Sequence, residues 1–128
     1  MQGQMPQEIE VWYIIPALRR ELAKVMINDM GLSQKGVSKV MNITEAAVSQ
    51  YINSKRAKDV IFTKNVMKEI KVAAKKVKEN NSLLIPEMTK LTRLTGVKQV
   101  MCYMHKKQDI NLPENCEICF EDDIIKIK

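Results

Sequence analysis

Apolar residues recur at helical spacing along most of the chain, and the interruptions divide it into five or six helices. Ile9, Trp12, Tyr13, Leu18, Leu22, Val25, Met26 and Met30 predict a long first helix over 8–29. Arg19, Arg20, Glu21 and Lys24 fall on its other faces. Pro16 interrupts this run and predicts a kink, or a helix start near Ile15. Gly31 ends it in the left-handed conformation that glycine adopts without strain. Val66, Ile70, Ala73 and Val77 mark a helix from Thr63 or Lys64 to Glu79, with lysines on its opposite side. Asn80, Asn81 and Ser82 form a turn. A helix over 83–95 then places Leu84, Met88, Leu91 and Leu94 inward, with Pro86 in its first turn and Gly96 as C-cap. A last helix over 97–107 buries Val97, Val100, Met101 and Met104. The stretch AKDVIFT (57–63) is a short extended segment or a loop, and DDIIKIK at the end is a possible short strand. The expected fold is all-α, with a helical unit over 1–79, a further helical segment over 80–128 and a short C-terminal tail.

Residues 33–56, SQKGVSKVMNITEAAVSQYINSKR, carry the most specific local pattern. Ser33 can cap a helix because its oxygen accepts from an otherwise unpaired first-turn N–H. Val37, Val40 and Met41 share one face of that helix. Asn42 tolerates the left-handed conformation that stops it, and Ile43 fills the space before the next one. Thr44 caps a second helix, on which Ala47, Val48, Tyr51 and Ile52 face inward, and Ser38 is small where the two helices cross. Glu45, Ala46, Ser49, Gln50 and Asn53 are left pointing outward. This is the layout of a helix-turn-helix reader of DNA, although two short amphipathic helices also meet this way in proteins that never touch DNA.

Charge sharpens that reading. The 128-residue chain has a net charge of +6, unevenly spread. Between Lys55 and Lys78 there are nine Lys or Arg against Asp59 and Glu69, a net +7, so the rest of the chain sums to −1. From Asp109 to Asp123 there are six acidic residues and no basic one. A basic segment directly after a reading helix suits phosphate contacts. The 45% apolar content supports one ordinary core. No apolar run approaches a membrane span, and MQGQMPQEIE lacks the basic-then-apolar order of a secretory signal. A cytoplasmic location is the expectation.

The second chemical signal is Cys102-x2-His105, followed after ten residues by Cys116-x2-Cys119; these are all three cysteines and the single histidine of the chain. Cys102 and His105 are three apart on a predicted helix and share a face. Two pairs with two-residue gaps match the ligand spacing of a tetrahedral structural zinc site. Cysteines with one histidine also hold iron–sulfur clusters, 4Fe–4S or 2Fe–2S. A disulfide does not suit an intracellular protein, and a redox C-x2-C would need a βαβ setting.

Residues 8–59 resemble the small archaeal helix-turn-helix regulators related to phage-repressor-type proteins, over roughly 40% of the chain. VWYIIPALRRELAK, GLSQ and TEAAVSQYINSKRAKD carry the resemblance most specifically, and the C-x2-H and LPENCEIC pattern looks like the cysteine-rich tail of that family. The resemblance implies a DNA-binding transcriptional regulator whose tail holds a metal or cluster. Members carry a further cysteine pair in the helix before the C-x2-H; here IPEMTKLTRLTG has none, which leaves the ligand set open.

These readings converge on a dimeric, sequence-specific DNA-binding regulator. The N-terminal part of the helix from Thr44 to Asn53 would lead into the major groove. Gln50 is the candidate for bidentate reading of adenine, flanked by Ser49 and Glu45 with Ala46 and Asn53 on the same face. Gln34, Lys35, Lys55, Arg56 and Lys58 would contact phosphates. Cys102, His105, Cys116 and Cys119 would hold zinc, or a cluster that senses iron or redox state. The rival is an RNA-binding or antitoxin-like module with a purely structural zinc site. No glycine-rich phosphate loop and no nucleophile–base pair suggests an enzyme, and no small-molecule substrate is expected.

Overall fold

The computed structural model describes residues 5–53 and 60–108, and within them every regular element is helical. Helix α1 runs without a break through Pro6–Ile9, a π-helical turn at Glu10–Ile14, and Ile15–Asn28. The remaining helices are α2 (Gln34–Met41), α3 (Glu45–Ile52), α4 (Lys64–Glu79), α5 (Leu84–Thr92) and α6 (Thr95–Gln108), with a 3-10 turn at Asn81–Leu83 between α4 and α5. Six helices and no strand among the described residues agree with an all-α fold. None of them is long and apolar enough to cross a membrane. The C-terminal strand suggested by DDIIKIK lies outside the described residues.

An α-helical segment starts at Ile15 with Pro16 in its first turn, as the sequence suggested, but it continues a helix already under way. Proline lacks an N–H, and its ring crowds the carbonyl four residues back, here that of Trp12. The turn immediately before it is widened instead, with the Ile15 N–H reaching back five residues to the Glu10 carbonyl. The extra residue changes the phase of the helix. Its buried stripe is Ile9, Ile14, Leu18, Leu22 and Met26, a step of five followed by steps of four. Trp12, which an uninterrupted α-helical reading turns inward, is 43% exposed, and Tyr13 and Met30 are only partly buried. At the start of the helix Glu8 accepts a hydrogen bond from the Met5 N–H at 3.0 Å. At its end Gly31 takes φ +71°, as expected.

α1 is the spine of the molecule. α3 and α4 pack on it, α2 packs on α3, α5 on α4, and α6 against the N-terminal end of α1. Val37, Val48, Val66, Ile70, Val77, Met88, Leu91, Val97, Met101 and Met104 join its buried stripe in one apolar cluster. Val40, Leu84, Leu94 and Val100 pack on that cluster while only partly buried. α4 has the predicted boundaries, and its N-cap Thr63 accepts from the Val66 N–H at 3.3 Å. Lys64, Lys68, Lys71, Lys75 and Lys78 follow one another at steps of four and three, forming an exposed ridge opposite its apolar stripe. Lys71 lies 3.7 Å from Asp29. Glu87 links α5 to α4 from a buried position, 3.1 Å from Lys90 and 3.8 Å from Lys76.

The segment after residue 59 is the loop that the sequence allowed, and two residues, Arg20 and Gly96, depart from their expected roles. Val60–Thr63 form no regular structure, yet Val60 and Phe62 are buried while Ile61 is 80% exposed. The Val60 carbonyl is satisfied by Arg20, whose Nη2 donates to it at 2.8 Å; Arg20 is thus a buried residue and not part of an outer face of α1. Gly96, expected as a C-cap, is the second residue of α6. α5 ends without a left-handed residue, at Arg93. Glycine is required at 96 by close packing, because a Cβ there would stand 2.7 Å from Val66 Cγ2.

That contact decides the sign of a substitution. Alanine normally stabilises a helix over glycine by up to about 1 kcal/mol. Val66 is buried and β-branched, so its methyl cannot swing away freely. Gly96→Ala is therefore expected to destabilise by about 1–3 kcal/mol through overpacking in urea unfolding, and adding Val66→Ala should recover most of that loss.

Candidate nucleic-acid interface

The α2–α3 pair is closed by local hydrogen bonds at each of its corners. Ser33 Oγ accepts from the Gly36 N–H at 3.0 Å and opens α2. Asn42 stops it with φ 55° and ψ 45°, the left-handed conformation that its short polar side chain tolerates. The Ile43 N–H then reaches back to the Ser38 carbonyl at 3.0 Å, the six-to-one bond of a Schellman closure. Thr44 Oγ1 accepts from the Ala47 N–H at 3.0 Å and opens α3. Three residues, Asn42 to Thr44, thus separate the helices. Ser38 is buried, and its hydroxyl donates to the Lys35 carbonyl at 2.7 Å, so no donor is stranded inside the pair.

The inward face of α3 follows expectation, with Val48 fully buried and Ala47, Tyr51 and Ile52 partly so. Arg19 on α1 fixes its orientation. Nη1 of Arg19 donates to Tyr51 Oη at 2.8 Å, and the guanidinium carbon lies 5.5 Å from the ring centroid. The next residue, Arg20, holds Val60. Two adjacent arginines therefore anchor the residues on either side of 54–59. Lys55, Arg56 and Lys58 fall within that stretch and lie outside the described residues.

On the outward side Glu45, Ala46, Gln50 and Asn53 are exposed, as are Gln34 and Lys35 in the first turn of α2 and Thr44 between the helices. Ser49 is half-buried. Asn53 is partly committed, because its Nδ2 donates to the Ser49 carbonyl at 3.0 Å. Gln50 is left as the exposed amide on this face with room for bidentate contact to a base edge.

In α6, Cys102 is half-buried and His105 is 3% exposed. Cys116 and Cys119 lie outside the described residues. Among the described residues no group of three or more His, Cys, Asp or Glu is placed to hold a metal ion. The role of Arg19 and Arg20 escaped the sequence reading, since hydropathy puts consecutive arginines on the solvent side of any helix.

Comparison with known protein families, curated proteins and solved structures finds no match to this chain.

The cap at Thr44 and the outward Gln50 should contribute differently to stability. Thr44→Ala is expected to lower unfolding stability by about 1 kcal/mol. Gln50→Ala, on an exposed face, should change it by no more than about 0.5 kcal/mol. Urea denaturation of the two variants checks both.

Proposed function

We propose that this chain is a sequence-specific DNA-binding transcriptional regulator in which α2 and α3 act as a helix-turn-helix. The observation that supports it is the closed α2–α3 corner, with caps at Ser33 and Thr44 and a left-handed Asn42. This corner leaves one polar face, Glu45, Ala46, Gln50 and Asn53, turned outward from a helix held by Arg19. α3 would enter the major groove, Gln50 would read a base, and Gln34, Lys35, Lys55, Arg56 and Lys58 would contact phosphates. The lysine ridge of α4 adds positive potential that draws a polyanion toward the same molecule. The regulator would act as a homodimer, because one reading helix specifies too few base pairs, and its two half-sites would lie about one DNA turn apart.

Cys102, His105, Cys116 and Cys119 would hold zinc, with an iron–sulfur cluster as the alternative. The half of the donor set in α6 has the i, i+3 spacing such a site needs. Burial of His105 puts any ion it holds against the core rather than on an open helix face. Such an ion would brace the end of α6.

Selection from random duplex DNA followed by fluorescence anisotropy tests the reading. A palindromic site, bound with an affinity that falls steeply as salt rises, is expected. Gln50→Ala should lose about 1–3 kcal/mol of discrimination at one base position per half-site. Equal affinity for all duplexes, or preference for single-stranded RNA, would refute it. For the tail, anaerobic purification should yield a colourless protein with one zinc per chain. A brown protein carrying iron and sulfide would replace zinc by the cluster, and a metal-free protein would remove the site.

A further inference from the structure

Arg20, Glu87 and Lys98 are three charged side chains buried among the described residues. Two of them are matched: Arg20 donates to the Val60 carbonyl and lies 3.8 Å from Glu21, and Glu87 stands between Lys76 and Lys90. Lys98 is different. It is 6% exposed, and among the described residues its ammonium makes no hydrogen bond or ion pair. An ammonium with no protein partner at the wall of a cleft is open to a ligand of opposite charge.

Lys98 lines a cleft of about 350 Å³ between α1, α5 and α6, a volume at the lower end of the range for small-molecule sites. Arg19 from α1 and Arg93 from the end of α5 line the same cleft, so its lining holds three basic residues against one acidic residue, Glu10. Ile15, Met88 and Met101 supply an apolar wall. The two hydroxyls in the lining cannot donate to an anion. Thr89 Oγ1 already donates to the Ile85 carbonyl and Thr92 Oγ1 to the Thr89 carbonyl, each at 2.8 Å. A negative group entering the cleft would be met by Lys98, Arg93 and Arg19, and a purely ionic ligand would leave the apolar wall unused.

We infer that this cleft binds a small organic carboxylate with an apolar body, the carboxylate held by Lys98 and Arg93 and the body lying against Ile15, Met88 and Met101. Arg19 connects the site to α3. A guanidinium has five N–H donors, and one of them is engaged with Tyr51 Oη, so a carboxylate reaching Arg19 shares it with that helix. The link makes the ligand an effector only if α3 contacts DNA as proposed above; binding itself does not depend on that reading.

The test is an NMR titration of the ¹⁵N-labelled full chain at constant ionic strength. The probes are 3-phenylpropanoate and hexanoate, with acetate, inorganic phosphate and phenyl phosphate in parallel. Saturable shifts of the Met88, Thr92 and Lys98 amides with the first two are expected, with acetate binding more weakly. Lys98→Met keeps an apolar side chain of similar length and should retain the spectrum of a folded protein. It should weaken binding by about tenfold, the factor that loss of one charge-assisted contact gives. Arg93→Ala, at an exposed position, should weaken it in the same direction and stands in should Lys98→Met not fold. The site is refuted if neither carboxylate saturates in the millimolar range, or if the folded variants bind as tightly as the parent chain. Saturation by phenyl phosphate alone would refute the carboxylate assignment, and binding that leaves the Tyr51 amide unshifted would refute the link to α3. None of these outcomes requires DNA, so failure of the DNA reading and failure of this one are separate results.

Discussion

The π turn at Glu10–Ile14 sets the phase of the first helix, and with it the directions from which the other helices pack. Each residue of an α-helix turns the chain by about 100°. Without the extra residue, the face holding Ile14, Leu18, Leu22 and Met26 would be rotated by that amount relative to Ile9. The N-terminal end, where α6 packs, would then look away from the core that α3 and α4 cover. Pro16 gives the turn its cause. A proline inside a straight α-helix would set its ring against a carbonyl and leave another without its donor. Widening the turn before it eases the clash of the ring and keeps the helix continuous.

Consecutive residues of the same helix then hold two separate parts of the fold. Arg19 and Arg20 diverge around α1 by one residue's rotation, and they end at Tyr51 and at the Val60 carbonyl. Arg20 is a structural bond to a buried acceptor, of the kind whose loss strands a carbonyl in the interior. Arg19 lies nearer the surface and carries the orientation of α3. α3 is therefore positioned from behind by a charged hydrogen bond as well as by the apolar contact of Val48. Local caps close the α2–α3 corner, and α1 aims it.

How much of this the sequence reveals depends on how local the physics is. The caps at Ser33 and Thr44 and the left-handed Asn42 and Gly31 were all legible, because each is decided by the residue and its neighbours within four positions. The apolar stripe of α4 was legible for the same reason. Arg20 and Gly96 were misread because tertiary contacts override the local signal, and Trp12 because the π turn breaks the α-helical period. Trp12 lies within the π turn that precedes Pro16 and is exposed there. Arg20 is buried where Val60, forty residues away, presents a carbonyl to it. Gly96 reads as a helix stop, yet its missing side chain makes room for Val66 on another helix. Of the candidate site, the outward face of α3 could be read in advance, whereas its attachment to α1 and the cleft beside that attachment could not. No periodicity marks Lys98, which stands one position after Val97 in an ordinary amphipathic helix.

The size of the Arg19 interaction bears on whether the cleft can influence α3. A hydrogen bond to a charged group contributes about 1.5–3 kcal/mol, and coupling between allosteric sites is typically about 1–3 kcal/mol. One guanidinium exchanging or sharing a single hydrogen bond is thus large enough to account for an ordinary regulatory effect, with no rearrangement of the core. Coupling also needs an element with two arrangements that both sites bias. α3 is a suitable one: it is only eight residues long, its fully buried side chain is Val48 alone, and its remaining inward residues are half-exposed. α4, with five buried residues over twice that length, is not. If a carboxylate drew Arg19 toward Lys98, the Tyr51 hydroxyl would give up a charged donor while the caps at Thr44 and Asn42 stayed intact. α3 would then keep its helical structure and change its tilt. Such a tilt would leave the outward residues in place on their helix and alter only the direction in which the helix presents them.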